Sequence, residues 1–232
     1  MSDGEYPLPP GADPERTVRL DARSVRGLAH PIRVKMLGLL RSEGPATATK
    51  LAERLGLNTG ATSYHLRQLA TYGFIVDDET RGEGRERWWK AAHDMTSFDR
   101  GAFAGDETGE AFVRSIGQIY TEKIHRAIDE YATLPPAWRT AGTLSDRLFR
   151  LTPAETEQLV ADLLEVMSRY RRHDPEDPEP GPEGAAPVHV MLQAFPQAQA
   201  IAGPAPEETG AGSGQMPEET DADPGRASER EQ

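Results

Sequence analysis

The chain contains no cysteine, which excludes disulfides and any metal centre built on thiolates. No apolar run approaches the roughly 20 residues that a membrane-spanning helix needs. The opening stretch, MSDGEYPLPPGADPE, lacks the basic and apolar regions of a signal peptide. The expectation is a cytoplasmic protein with no membrane partner. Hydrophobic residues make up 37% of the chain, below the globular norm. Because the 19 prolines gather towards the ends, unfolded tails rather than a thin core account for that deficit. Enzyme signatures are missing as well. There is no P-loop, HExxH or GxSxG elbow, and the GAGSG near the C-terminus sits in sequence of disordered composition. Neither catalysis nor a cofactor is expected.

Positive charge is scarce overall, with a net charge of −12, but it is unevenly placed. From Asp21 to His93, 12 Lys/Arg stand against 8 Asp/Glu. Residues 1–20 carry 2 against 4, and residues 94–232 carry 12 against 26. Screening confines charge effects to roughly 8 Å at physiological salt, so the local excess around 21–93 decides what that segment attracts.

What is present is concentrated between Leu51 and Ile75, reading LAERLGLNTGATSYHLRQLATYGFI. A short helix carrying Leu51, Ala52 and Leu55 ends at Gly56. A turn, Gly56-Leu57-Asn58, leads into a second helix whose inward positions are Thr62, Leu66 and Leu69, and Gly73 stops it. The two helices are expected at about 48–55 and 59–72. This is the geometry that delivers a second helix into a DNA major groove. Before it, Ala22–Leu28 reads as a first helix. Pro31 opens a second, with Ile32, Met36, Leu39 and Leu40 on one face, and Ala46–Ala48 reads as a short strand. After it, Phe74-Ile75-Val76 and RWWKAA flank a loop containing Gly82 and Gly84, a hairpin or wing.

Asp106–Thr133 has apolar residues at 3–4 spacing over some seven turns, a long amphipathic helix expected to supply a dimer interface. Thr152-Pro153-Ala154-Glu155 has capping-box spacing and opens a helix carrying Leu159, Val160, Leu163, Leu164, Met167 and Tyr170. Residues 142–151 and the alternating segment from Val188 read as extended pieces that could pair. The expected organisation is a disordered 1–20, a DNA-binding domain at 21–94, a helical dimerisation region at 106–172, a linker with a strand at 173–202 and a disordered acidic tail at 203–232. The fold class is mainly α with a small β wing.

With Thr62, Leu66 and Leu69 inward, the opposite face presents Thr59, Gly60, Ser63, Tyr64 and Arg67. Arg67 can bind guanine through two donors or pair with phosphate. Ser63 and Thr59 can donate to phosphates, Gly60 permits close backbone approach, and Tyr64 can pack on a thymine methyl. The alternative is a solvated face of a purely structural helix. Arg81, Arg85 and Arg87 in the wing suit phosphate or minor-groove contact, unless Glu79, Glu83 and Glu86 neutralise them. His65 reads as a packing residue rather than a ligand. Trp88 and Trp89 should divide between the two faces of their strand. Glu122, His125 and Asp129 share one face of the long helix, a spacing that exposed faces reach by chance, and no metal is expected.

On those residues, the segment from about Leu20 to His93 resembles the ArsR-like winged helix-turn-helix transcription regulators. The matching pieces are LDARSVRGLAHPIRVKMLGLL, ATKLAERLGLNTGATSYHLRQLATYGFI and the wing with RWWKAA. The resemblance implies a homodimer on a pseudo-palindromic operator, usually a repressor released by an effector, with terminal helices making the dimer. The cysteines of the family's metal sensors are missing, which shifts the expectation to a non-metal small-molecule effector or none. A second ligand-binding reading places a pocket between Trp138 and the 159–170 helix. The rival from another class is a winged helix that binds protein, with the acidic tail as an arm. The arginine-rich wing counts against it.

Overall fold

A computed structural model describes residues 8–9, 12–81, 86–99, 101, 103, 105–177, 181–198 and 201. Two compact units divide after Gln193, and of the second only 194–198 and 201 are described. The tail expected at 203–232 lies outside the described residues.

The three longer helices that open the N-terminal half each begin on a local side-chain cap. After a single turn, α1 (Val25–Leu28), helix α2 (Pro31–Ser42) opens with His30 as its cap: the Ile32 N–H donates to His30 Nδ1 at 3.2 Å, and Pro31 occupies the first turn. Thr47 caps α3 (Ala48–Leu55) and Asn58 caps α4 (Thr59–Thr71), the Ala61 N–H donating to Asn58 Oδ1 at 2.8 Å. Gly56 (φ 65°) and Gly73 (φ 75°) end these two helices in the left-handed conformation. In both cases the next N–H reaches back five residues, Leu57 to the Ala52 carbonyl and Phe74 to that of Leu69. The expected bounds of both helices hold to within a residue.

The strands β2 (Ala46–Thr47), β3 (Ile75–Asp77) and β4 (Trp88–Ala91) form an antiparallel sheet in the order β2-β4-β3. Ile75 faces Ala91 and Asp77 faces Trp89, while Thr47 faces Trp88. The wing therefore stands as read, with β2 as its third strand. Trp89 is buried and Trp88 half-buried, the expected division of the two faces.

One expectation is corrected at the N-terminus. Residues 17–19 are not disordered: they form β1 (Thr17–Arg19), which pairs in parallel with β5 (Met95–Ser97). An ion pair of Arg16 with Asp94, a bond from the Leu20 N–H to the Ser97 carbonyl and burial of Thr17 hold it there. A three-residue strand in a Pro-rich, charged context carries too little periodicity to be read from sequence. On α2 the fully buried residues are Met36, Leu37 and Leu40, with Ile32 and Leu39 half-buried against the core. The buried arc is wider than one stripe because α2 packs against α4 and β4 as well as against α5 (Glu107–Glu130).

One core unites these elements, with Val25, Leu28, Met36, Leu66, Leu69, Phe74, Ile75 and Phe112 at or below 1% exposure. Helix α5 enters it through Phe112, edge-on to Phe98 at 5.2 Å between centroids, and through Gly109. A Cβ at Gly109 would lie 2.5 Å from the Phe103 Cβ, so only glycine allows this approach. The core extends into α5 across the boundary expected near residue 94.

Past its midpoint α5 leaves the core, and Ile128 and Tyr131 are exposed. Then come α6 (Pro136–Ala141), an extended segment at 142–151, and α7 (Pro153–Ser168), which opens with the expected capping box between Thr152 and Glu155. No residue of α7 is buried. The pairing expected between 142–151 and the segment from Val188 does not form, and neither is a strand. After α7 the chain returns to the N-terminal half. His173 Nε2 lies 2.9 Å from the Ser42 carbonyl oxygen, and Asp174 pairs with Arg16 at 3.2 Å. None of the described helices is long and apolar enough to cross a membrane.

Candidate nucleic-acid interface

Helix α4 is held by its inward face, since Thr62, Leu66 and Leu69 are all 0% exposed. The Thr62 hydroxyl donates to the Asn58 carbonyl at 3.1 Å, so even the polar inward residue is satisfied. The outward face presents Thr59, Gly60, Tyr64 and Arg67 to solvent, with Ser63 half-buried. Arg67 Nε donates to the Ser63 carbonyl at 3.2 Å, which lays the side chain along the helix. The first turn of α4 holds no acidic side chain. Its unpaired backbone N–H groups and the positive end of its dipole therefore remain uncompensated, a combination that attracts phosphate.

The wing is built differently from its sequence reading. Its described arginines are tied, but by acids other than Glu79 and Glu86. Arg81 pairs with Asp78 at 3.2 Å and with Glu176 at 3.4 Å, and Arg87 pairs with Asp77 while its guanidinium lies 4.3 Å from the Trp89 ring centroid. Glu86 instead accepts from the Thr49 hydroxyl at 2.7 Å and links the wing to α3. Arg85, with Glu83, lies outside the described residues. Asp78 is buried and serves as the anchor of the wing base. The Thr80 hydroxyl, donating at 2.6 Å, and the Lys90 ammonium at 3.5 Å hold its carboxyl below the usual range. Ion pairs between solvent-accessible groups are worth about 0–1 kcal/mol each, so a phosphate can replace Glu176 at Arg81 and Asp77 at Arg87 at little cost.

Sequence reasoning missed Lys50. It stands in the first turn of α3 with its ammonium 4.4 Å from the Trp88 ring centroid, and the Arg81 guanidinium lies 5.8 Å from the same ring. The pairing of Thr47 with Trp88 across β2 and β4 brings the two together, a juxtaposition that no linear spacing announces. Arg41 was missed too. Its Nε donates to the His93 carbonyl at 2.7 Å and its Nη2 to the Thr96 hydroxyl at 3.0 Å, and burial lowers its pKa to about 10, still cationic at neutral pH. It fastens α2 to the end of the wing.

His65 packs its ring 4.6 Å from that of His30 and 5.4 Å from that of Tyr64. Burial, then the His30 ring and Arg33, lower its pKa. Burial and Arg33 lower that of His30. The pair joins the cap of α2 to the middle of α4. On α5, Glu122 is engaged by the Lys35 ammonium at 2.7 Å, while His125 and Asp129 are exposed. Among the described residues no three ligating side chains converge as a metal site would require.

Comparison with known proteins bears on this half of the chain. A family profile described as a helix-turn-helix domain matches residues 28–77. The HTH-type transcriptional regulator NmtR of Mycobacterium tuberculosis is 40% identical over 57 residues, which span 25% of this chain and 47% of that regulator. The chain thus matches about half the length of that relative. Among solved structures, a mutant of Lactococcus lactis ZitR in apo form aligns over 61% of this chain and 82% of its own, at 15% identity and a TM-score of 0.28.

Proposed function

We propose that this ArsR-like winged helix-turn-helix protein is a sequence-specific transcription regulator that binds operator DNA as a homodimer, in the role of a repressor. The observation that carries the reading is the division of α4. Its three inward residues are sealed in the core, and its outward face offers Thr59, Gly60, Ser63, Tyr64 and Arg67 beside an N-terminus free of acid. In this reading α4 enters the major groove. Lys50, Arg81 and Arg87, with Arg85 of the wing loop, contact the flanking backbone or minor groove. A dimer then has to hold its two α4 helices about 34 Å apart, one turn of B-DNA.

The test is fluorescence anisotropy of the purified protein against its own upstream DNA and a scrambled duplex, across a salt series. Tight binding to the first only, with a steep salt slope, is the expected outcome. Equal binding to both duplexes would remove sequence specificity. No binding even at low salt would leave a protein-binding winged helix in its place.

A further inference from the structure

The segment between α6 and α7 is unusual in what it leaves in water. From Gly142 to Leu151 every residue is exposed, including Leu144 at 80%, Leu148 at 79% and Phe149 at 59%. Its polar contacts stay local, between the Thr143 and Ser145 hydroxyls and from Arg147 to the Asp146 carbonyl. The helix that follows has a matching defect. Leu163, Val166 and Met167, at helical i, i+3 and i+4, form one apolar stripe with exposures between 37% and 46%. Taking about 200 Å² for a large apolar side chain, arm and stripe together leave roughly 700 Å² of apolar surface uncovered per chain. A standard interface buries about 800 Å² per partner, so exchanged arms supply most of one.

Charge identifies the occupant. The arm is basic, with Arg147 and Arg150 against Asp146, whereas α7 carries Glu155, Glu157, Asp162 and Glu165 and no base within its bounds, Glu165 alone being taken by Arg169 at the helix end. Arm and helix of the same chain are kept apart by the joint between them. Thr152 holds an extended backbone (φ −74°, ψ 165°), fixed by the capping box and by Pro153, so the arm runs off the end of the helix and does not lie along its stripe.

We propose that two copies of this chain exchange these arms, the 142–151 segment of each lying on the α7 stripe of the other. Leu144, Leu148 and Phe149 cover the partner's apolar stripe, and Arg147 and Arg150 meet its acidic margin. The inference rests on the homodimer proposed above and specifies what fastens it.

Charge reversal tests it in trans. One variant carries Arg147→Glu and Arg150→Glu. A second carries Glu157→Arg and Asp162→Arg, two positions on opposite sides of the stripe that spare the capping box. Circular dichroism checks that both keep their helices, since every altered residue is exposed. In sedimentation equilibrium the wild type should dimerise, and each variant should self-associate at least about tenfold more weakly, because each places like charges face to face. Their equimolar mixture should regain wild-type affinity as a heterodimer, since both exchanged contacts then become complementary. A monomeric wild type, variants that dimerise as tightly as the wild type, or a mixture no tighter than its components would each overturn the proposal. Failure of the regulator reading is distinguishable: a dimer that behaves as described but binds no DNA leaves the arms standing and removes the operator.

Discussion

At the scale of the residue, the two basic side chains that flank the turn should do different work. Arg67 stands on the outward face of α4, and Lys50 stands over Trp88 at the wing. In the proposed complex, Arg67→Ala costs about 1–3 kcal/mol and relaxes preference at one operator position, the signature of a base contact. Lys50→Ala weakens all duplexes alike and makes the salt dependence shallower by about one, the signature of a phosphate contact. Anisotropy against a set of single-site operator variants separates the two, and identical, sequence-independent losses would remove the base-reading role of Arg67. The histidine pair makes a second prediction. Both pKa values are lowered in the folded chain, so the unfolded chain binds more protons. The stability they supply is complete above the unfolded value near 6.5 and is lost as pH falls through the folded values. Melting temperature should therefore drop between pH 7.5 and 5.5, and drop less in His30→Asn/His65→Gln. The asparagine retains a helix cap at position 30, so the change reports titration rather than a lost cap.

At the scale of the element, the turn between α3 and α4 depends on local bonds. Asn58 satisfies the Ala61 N–H, and its removal leaves that donor to water. Asn58→Ala should cost about 1 kcal/mol in urea unfolding, whereas Asn58→Ser, which retains a cap, should stay within a few tenths. If alanine and serine behave alike, the cap is not what starts α4. The segment after α7 makes a different prediction. Asp174 and Glu176 bring acid onto Arg16 and Arg81, so Glu176 competes with phosphate for a wing arginine. Glu176→Gln should tighten DNA binding a few-fold at low salt and leave it unchanged at high salt, because only exposed charge is involved. Equal affinity at low salt would show that Arg81 takes no part in the complex. Both motif helices could be read in sequence because their punctuation is chemical: Asn58 to start, Gly56 and Gly73 to stop. β1 could not, because its pairing with β5 joins residues 78 apart through Thr17 and Met95.

At the scale of the whole molecule, the chain separates its charges, with base around the winged helix and acid beyond it. Residues 204–232 contribute 8 acidic and 2 basic side chains to the net −12. A chain ending at residue 203 should bind DNA more tightly at low salt, with the difference vanishing as salt rises, because long-range repulsion is screened within a Debye length. Unchanged affinity at low salt would mean that the tail does not act on the basic face. The apolar surface left open on α7 and the segment before it is the other property of this scale. It has no account within one chain, and the proposed exchange of arms would cover it.

The sequence by itself determined the helix-turn-helix, its bounds, the inward trio Thr62, Leu66 and Leu69, the wing strands and the capping box of α7. Each depends on bonds or periodicities within a few residues, which linear order preserves. The tertiary structure alone decided that Asp77, Asp78 and Glu176, rather than Glu79 or Glu86, hold the described wing arginines. It alone brought Lys50 to Trp88 and His30 to His65, and left the 142–151 segment without cover. Those contacts join residues far apart in the chain. Their energy depends on which surfaces meet after the core closes, a matter of packing geometry that spacing along the sequence does not encode.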